Sequence, residues 1–144
     1  MDKKNIALVM GGFSGEHDIS IASGNQVYGQ LDHHKYNVYK IVVEREGWYW
    51  VDGEEHHPVD RGNFTIQAIT QSGNQTIHFD LAFIIIHGNP GESGVMQGYF
   101  DMLCIKYTTC GFYTSSLTFH KGFCHPVVKS FGIVKVANSI LLNE

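Results

Sequence analysis

Met10-Gly11-Gly12-Phe13-Ser14-Gly15-Glu16-His17-Asp18-Ile19-Ser20 decides how this chain folds. The apolar run Ile6-Ala7-Leu8-Val9 precedes it, and a segment with apolar residues at helical spacing follows it. A strand, a glycine turn and a helix N-terminus therefore meet within about ten residues, the junction at which open α/β sheets hold ligands. Gly11, Gly12 and Gly15 supply freedom to adopt positive φ and admit a ligand or another backbone at close range. Glu16 sets the loop apart, because such turns usually offer backbone N–H groups to an anion. Two readings fit it: the carboxylate meets a cation such as a substrate ammonium, or it stabilises the positive end of the following helix.

Working outward, residues 5–10 read as a buried strand, because their apolar residues are continuous rather than alternating. Ile19, Ala22, Ser23, Val27 and Leu31 predict a first helix of about three turns, with Ser14 or Asp18 as its cap. Tyr36–Val43, rich in β-branched and aromatic residues, reads as a second strand. A right-handed crossover makes it parallel to the first. Between Glu44 and Thr76, residues 48–51 and 64–69 predict hairpins or an edge extension, with His56-His57-Pro58 in a surface loop. Residues 77–86 then give the strongest central-strand signal, Leu81-Ala82-Phe83-Ile84-Ile85-Ile86.

That strand runs into a second glycine turn, His87-Gly88-Asn89-Pro90-Gly91-Glu92-Ser93-Gly94-Val95-Met96-Gln97-Gly98. A helix carrying Val95, Met96, Tyr99, Phe100 and Leu103 follows, then a short strand over 106–109. The strand–turn–helix device thus occurs twice. In a doubly wound sheet both turns lie at the carboxyl edge and face one crevice, which places Glu16 and His87 within reach of one small ligand. Beyond these, residues 114–116 open a helix with Leu117, Phe119, Phe123, Val127, Val128 and Phe131, which Pro126 kinks or ends near His125. Gly132 closes it, and residues 133–142 read as an extended apolar strand without a covering element. The expected fold is α/β, a Rossmann-like, mainly parallel doubly wound sheet of about five strands.

Length and composition bound the function. The chain has 144 residues, 43% of them apolar, and a formal net charge of −4 with no Lys/Arg run, which excludes nucleic acid as the main partner. No run of about 18 apolar residues predicts a membrane span. The N-terminus lacks the apolar core of a signal peptide. Cys104, Cys110 and Cys124 form no CxxC pair and read as reduced thiols, so the expected location is cytoplasmic.

Several candidate sites fall away on spacing. The histidine pairs His33/His34 and His56/His57, and Cys124-His125, match no zinc pattern and read as solvated loop residues. Gly11-Gly12-Phe13-Ser14-Gly15 is neither G-x-G-x-x-G nor a P-loop, and neither Ser14 nor Ser93 sits in a G-x-S-x-G elbow. His87, the last residue of a buried strand, either donates to an anion near neutral pH or caps local backbone groups. Lys121 either snorkels to solvent or extends its ammonium toward phosphates.

Taken together, these motifs resemble the D-alanine–D-alanine ligases of the ATP-grasp superfamily, over essentially the whole chain. The anchors are Gly11-Gly12-Phe13-Ser14-Gly15-Glu16-His17-Asp18-Ile19-Ser20 with Ser23, then residues 87–98, Tyr107-Thr108 and Phe119-His120-Lys121. Ser93 stands where the family usually has Asp, Lys106 where it has Pro, and His120 where it has Asp or Asn. The resemblance implies an enzyme that joins two D-alanines for peptidoglycan through an acyl phosphate made with ATP, with Mg²⁺ (or Mn²⁺) as metal. It implies that Glu16 holds the ammonium of the first D-alanine, that His87 lies near its carboxylate, and that Ser14 and Gly88 complete the substrate site. Lys121 then reaches the ATP phosphates, and no metal ligand falls in this chain. Residues 1–115 form the substrate-side domain, and 116–144 the first helix and strand of an ATP-grasp domain that family members continue well beyond. The chain alone is expected to be inactive, and its apolar tail (Phe119, Phe123, Val128 and Phe131, with residues 133–142) to form a homodimer, to exchange strands, or to be disordered after about Gly132. Two rivals remain: a free-standing amino-acid-binding module, and a nucleotide-binding domain of an oxidoreductase, which needs a G-x-G-x-x-G turn after Val9.

Overall fold

The computed structural model describes residues 3–70 and 73–140. Its elements are β1 (Lys4–Gly11), α1 (His17–Gln30), β2 (Tyr36–Val43), β3 (Trp48–Asp52), β4 (Glu55–Pro58), β5 (Thr65–Thr70), β6 (Gly73–His78), β7 (Leu81–Ile84), α2 (Val95–Met102), β8 (Lys106–Tyr107), α3 (Phe112–Phe119) and α4 (Lys121–Ser130). Six strands form one sheet in the order β4-β3-β2-β1-β7-β8, and β5 and β6 make a separate hairpin. β1 pairs in parallel with β2 and β7, and β7 with β8. β3 and β4 extend the sheet antiparallel. The result is a mostly parallel α/β fold. From β1 the chain winds through α1 to β2 on one side, and from β7 through α2 to β8 on the other, so winding reverses between β1 and β7.

Alternation along β1 divides its side chains between two layers. Ala7 and Val9 join the main core with Ile41, Val43, Ala82 and Ile84, covered by Phe64, Ile66, Ile77 and Phe79 and by Met96 and Phe100 of α2. Phe64 and Phe100 are fully buried and meet edge to face at 4.9 Å. Met10 faces the opposite layer, against α1. There the fully buried helix positions are Ser20 and Gly24; of the expected apolar face, Ser23, Val27 and Leu31 are half-buried, whereas Ile19, 57% exposed, and Ala22 turn outward, so small residues meet β1. The cause is close packing: a Cβ at Gly24 would lie 2.8 Å from the Met10 sulfur. The expected side-chain cap is also missing. Glu16 is the N-cap residue and neither Ser14 nor Asp18 caps the helix.

Other expectations are corrected. Residues 77–86 are not one strand, since Ile77 and His78 end β6 and β7 stops at Ile84. Between them Asp80 turns the chain: its carboxylate accepts the Asn5 N–H and the Lys4 ammonium, both at 2.9 Å. His56-His57-Pro58 belongs to β4, not a loop. Pro58, which has no N–H, is tolerated because β4 is an edge strand. The helix expected from 114 begins at Phe112 and breaks at His120 rather than near His125. His120 (φ −97, ψ 95) ends α3, and its carbonyl accepts the Phe123 and Cys124 N–H groups that open α4. Pro126 lies inside α4. No strand forms over 133–140, which gain no sheet partner, and Leu141 and Leu142 lie outside the described residues. Gly132, at φ +67, follows the end of α4 as expected.

Candidate functional site

Both glycine turns leave the carboxyl edge of the sheet beside the point where winding reverses, and they are bonded to each other there. Gly11 and Gly12 take φ of +92 and +102, out of reach for most side chains. A Cβ on Gly11 would lie 2.8 Å from the Val43 carbonyl, and one on Gly12 2.5 Å from Ile86 Cγ2. The glycines thus let the first turn lie against both neighbouring strand ends. The Phe13 N–H donates to the Asn89 carbonyl at 2.8 Å, and the Ser14 hydroxyl to the His87 carbonyl at 2.9 Å. Ser14 Oγ also accepts the Glu16 N–H at 3.2 Å.

Within the second turn Gly88 takes φ +70, and the peptide between Asn89 and Pro90 is cis. Glu92 closes the turn, with Oε2 accepting the Gly88 N–H at 2.6 Å. Ser93, the departure from family pattern, donates to Asn89 Oδ1 at 2.9 Å, a bond an ionised Asp there does not make. Gln97, fully buried on α2, donates through Nε2 to the Gly91 carbonyl at 2.6 Å and to Thr109 Oγ1 at 2.8 Å. A Cβ on Gly88 would stand 3.7 Å from Glu16 Oε2 and 3.0 Å from the Ser14 side chain.

Four of the five expected site residues, Ser14, Glu16, His87 and Gly88, therefore come together. The Glu16 carboxylate is exposed, and among the described residues it has no hydrogen bond or ion pair. The half-buried His87 ring likewise takes no hydrogen-bond partner among them. The Glu16 carboxylate and the His87 ring are therefore both left free on turns that are bonded to each other through Ser14, a carboxylate able to meet a cation and an imidazole able to donate to an anion. Lys121 is not brought to this cluster by any recorded contact. It begins α4, exposed, and α4 packs chiefly on α3. Sequence reading missed Glu92, Gln97 and Ser20 as the residues that hold the turns. Their only sequence signal is position, a polar residue next to a glycine turn or on a buried helix face.

Among the described residues no three His, Cys, Asp or Glu side chains are grouped to hold a metal ion, and no helix is long and apolar enough to cross a membrane. His57 stacks on Trp50 at 4.8 Å and His33 Nε2 lies 2.9 Å from the Tyr28 carbonyl oxygen, so neither histidine pair is merely solvated.

Fold and turns together define a mostly parallel α/β domain whose two glycine turns meet where sheet winding reverses. The family model for the D-ala D-ala ligase N-terminus matches residues 5–110, and the chain belongs to that family. It is 45% identical over 141 residues to a D-alanine–D-alanine ligase of Parabacteroides distasonis, covering 97% of this chain and 41% of the relative. It is 44% identical to that of Flavobacterium johnsoniae, covering 98% and 42%. The crystal structure of D-alanyl-alanine synthetase A from Vibrio cholerae superposes with a TM-score of 0.79 at 29% identity, over 92% of this chain and 39% of that one. The chain thus spans about two-fifths of the length of the curated relatives it matches.

Proposed function

We propose that this chain is the D-alanine-binding N-terminal part of a cytoplasmic, ATP-dependent D-alanine–D-alanine ligase that makes the dipeptide for peptidoglycan. The observation that carries the reading is the 2.9 Å Ser14–His87 bond, which joins the two turns with the free Glu16 carboxylate beside Gly88. In the reaction, the γ-phosphoryl group of ATP passes to the carboxylate of the first D-alanine and leaves ADP; the amine of the second D-alanine then attacks the acyl carbon, the C–N bond forms, and inorganic phosphate leaves with loss of the amine proton. Glu16 binds the ammonium of the first D-alanine and so fixes which end meets the phosphoryl donor. His87 donates a ring N–H to the carboxylate, where charge builds in the transition state; a preorganised donor there is a large catalytic effect. Gly88 keeps the space open, and Ser14 holds the two turns at one separation. Lys121 extends a point charge toward the phosphates. Mg²⁺ has no ligand assigned in this chain.

Residues 1–115 serve as the substrate-side domain and 116–144 begin the ATP-binding domain. The family match, which ends at residue 110, supports this, as does the packing of α4 on α3 rather than on the sheet. Phe119, Phe123, Phe131 and Ile133 are 46–83% exposed, which supports self-association through this segment. Light scattering on the eluted protein reads a dimer if so, and a monodisperse monomer overturns it.

Calorimetry of the 144-residue chain with D-alanine tests the site. Binding without ATP that Glu16→Gln abolishes is the expected result, and equal binding by wild type and variant overturns it. The chain alone is expected to release no phosphate from ATP in the presence of D-alanine, and release by purified protein contradicts the proposed division of labour.

A further inference from the structure

The parallel ladder between β1 and β7 stops one rung early. Its pairs run from Ile6↔Leu81 to Val9↔Ile84, whereas β1 stays paired with β2 as far as Gly11↔Val43. The Ile85 N–H still reaches the Val9 carbonyl at 2.8 Å. In a regular parallel ladder the next bond runs from the Gly11 N–H to the Ile85 carbonyl. The Ser20 hydroxyl, carried on the first turn of α1, stands in its place. It accepts the Gly11 N–H at 2.9 Å and donates to the Ile85 carbonyl at 3.0 Å. Two bonds meeting at one hydroxyl oxygen near the tetrahedral angle hold nitrogen and oxygen about 4.8 Å apart, against ~2.9 Å for a direct bond. Ser20 is fully buried, so water does not compete for either bond. Both strand ends lead straight into the site: Gly11 into the turn of Ser14 and Glu16, Ile85 into His87.

We propose that Ser20 is a positioning residue, its hydroxyl wedging β1 and β7 apart where sheet winding reverses and so setting the gap across which Glu16 and His87 hold the substrate. The inference rests on the D-alanine site assigned above. Ser20 touches no substrate and acts only through Gly11 and Ile85. With alanine at position 20 the relay is lost, and the two backbone groups complete the rung directly, drawing the turns together by about 2 Å. A shift of that size at a site built for a three-carbon zwitterion lowers affinity by roughly tenfold or more.

The test pairs crystal structures with D-alanine calorimetry on the 144-residue chain as wild type, Ser20→Ala and Ser20→Thr. Ser115→Ala is the control, since Ser115 is also buried (3% exposed) and donates to the Cys110 carbonyl at 3.1 Å on α3. Ser20→Ala is expected to close the Gly11–Ile85 gap to a direct bond and to weaken D-alanine roughly tenfold or more. Ser20→Thr, which keeps the hydroxyl, is expected to restore gap and affinity, and Ser115→Ala to lose stability at unchanged affinity. A Ser20→Ala chain that binds as wild type does overturns the inference and leaves the site assignment standing. A wild-type chain that takes no D-alanine overturns both. Should Ser20→Ala fail to fold, Ser20→Thr decides: relay and affinity kept together support the wedge, and relay kept with affinity lost overturns it.

Discussion

The hydroxyl of Ser14 donates to the carbonyl oxygen of His87 across 2.9 Å, joining residues 73 apart in sequence at the carboxyl edge of the sheet. Ser14 Oγ in turn accepts the Glu16 N–H at 3.2 Å, so one side chain fixes the acid-bearing turn internally and against its neighbour. Ser14→Ala removes both bonds in a half-buried place. We expect a loss of about 1–2 kcal/mol in urea unfolding and a weaker D-alanine isotherm. Unchanged affinity in a destabilised variant shows that the two turns hold their spacing without Ser14.

Gly88 answers two demands at once. Its φ of +70 is costly for any side chain, and a Cβ there would stand 3.0 Å from Ser14 and 3.7 Å from Glu16 Oε2. Gly88→Ala therefore costs about 1–2 kcal/mol of stability from the backbone alone. The added methyl also occupies space that an ammonium on Glu16 needs, so D-alanine binding falls by more than the stability loss accounts for. Thermal unfolding with and without D-alanine separates the two: the variant melts lower, and its melting point no longer rises with ligand.

What was legible in the sequence, and what was not, divides by the range of the cause. β1, the glycine turn and α1 were readable because an apolar run, positive-φ residues and a helical repeat are local signals. The end of β7 at Ile84 was not, because it is set by a hydroxyl 65 residues earlier, Ser20 on Ile85. β4 carries a local signal of its own, within the stretch where hairpins or an edge extension are predicted. Asp52 pairs with Glu55 across the two-residue turn Gly53-Glu54, whose Gly53 has φ +60, and glycine leading a two-residue turn between β-prone runs is a hairpin mark. In the site, Glu16 and His87 stood out by residue type at strand ends. Glu92 and Gln97 did not, since their work is to accept the Gly88 N–H and to hold the Gly91 carbonyl, contacts that exist only once the turn is folded.

Acid weakens the junction before β7. The Lys4 ammonium bonded to Asp80, with the Asn5 N–H beside it, holds its carboxyl below the usual value of 3.8. A depressed carboxylate stabilises the fold above its unfolded value, and that contribution is lost as pH falls through the lower folded value. Wild type and Asp80→Asn should therefore differ at pH 7 and converge as pH falls below the ordinary carboxyl value of 3.8 in urea unfolding. Because the pair is exposed, added salt should shrink the difference. A gap that persists at low pH shows that the Asn5 contact, not the charge, does the holding.

Alkali acts on the main core, through Tyr99 of α2. Burial, with the Asp60 charge adding to it, pushes this phenol up to about 12 from an ordinary 10.0. Its hydroxyl donates to the Arg61 carbonyl at 2.7 Å, and its ring meets Trp48 at 5.1 Å, so ionisation in place has no favourable partner. A raised value means that the stabilisation is complete below pH 10 and is lost as pH climbs toward about 12. Tyr99→Phe keeps the ring packing and gives up the hydrogen bond, at about 1 kcal/mol near neutrality. It should also flatten the loss of stability between pH 10 and 12 that wild type shows in guanidinium unfolding. An equally steep alkaline decline in the variant would assign that decline to other tyrosines, leaving Tyr99 only its contact with Arg61.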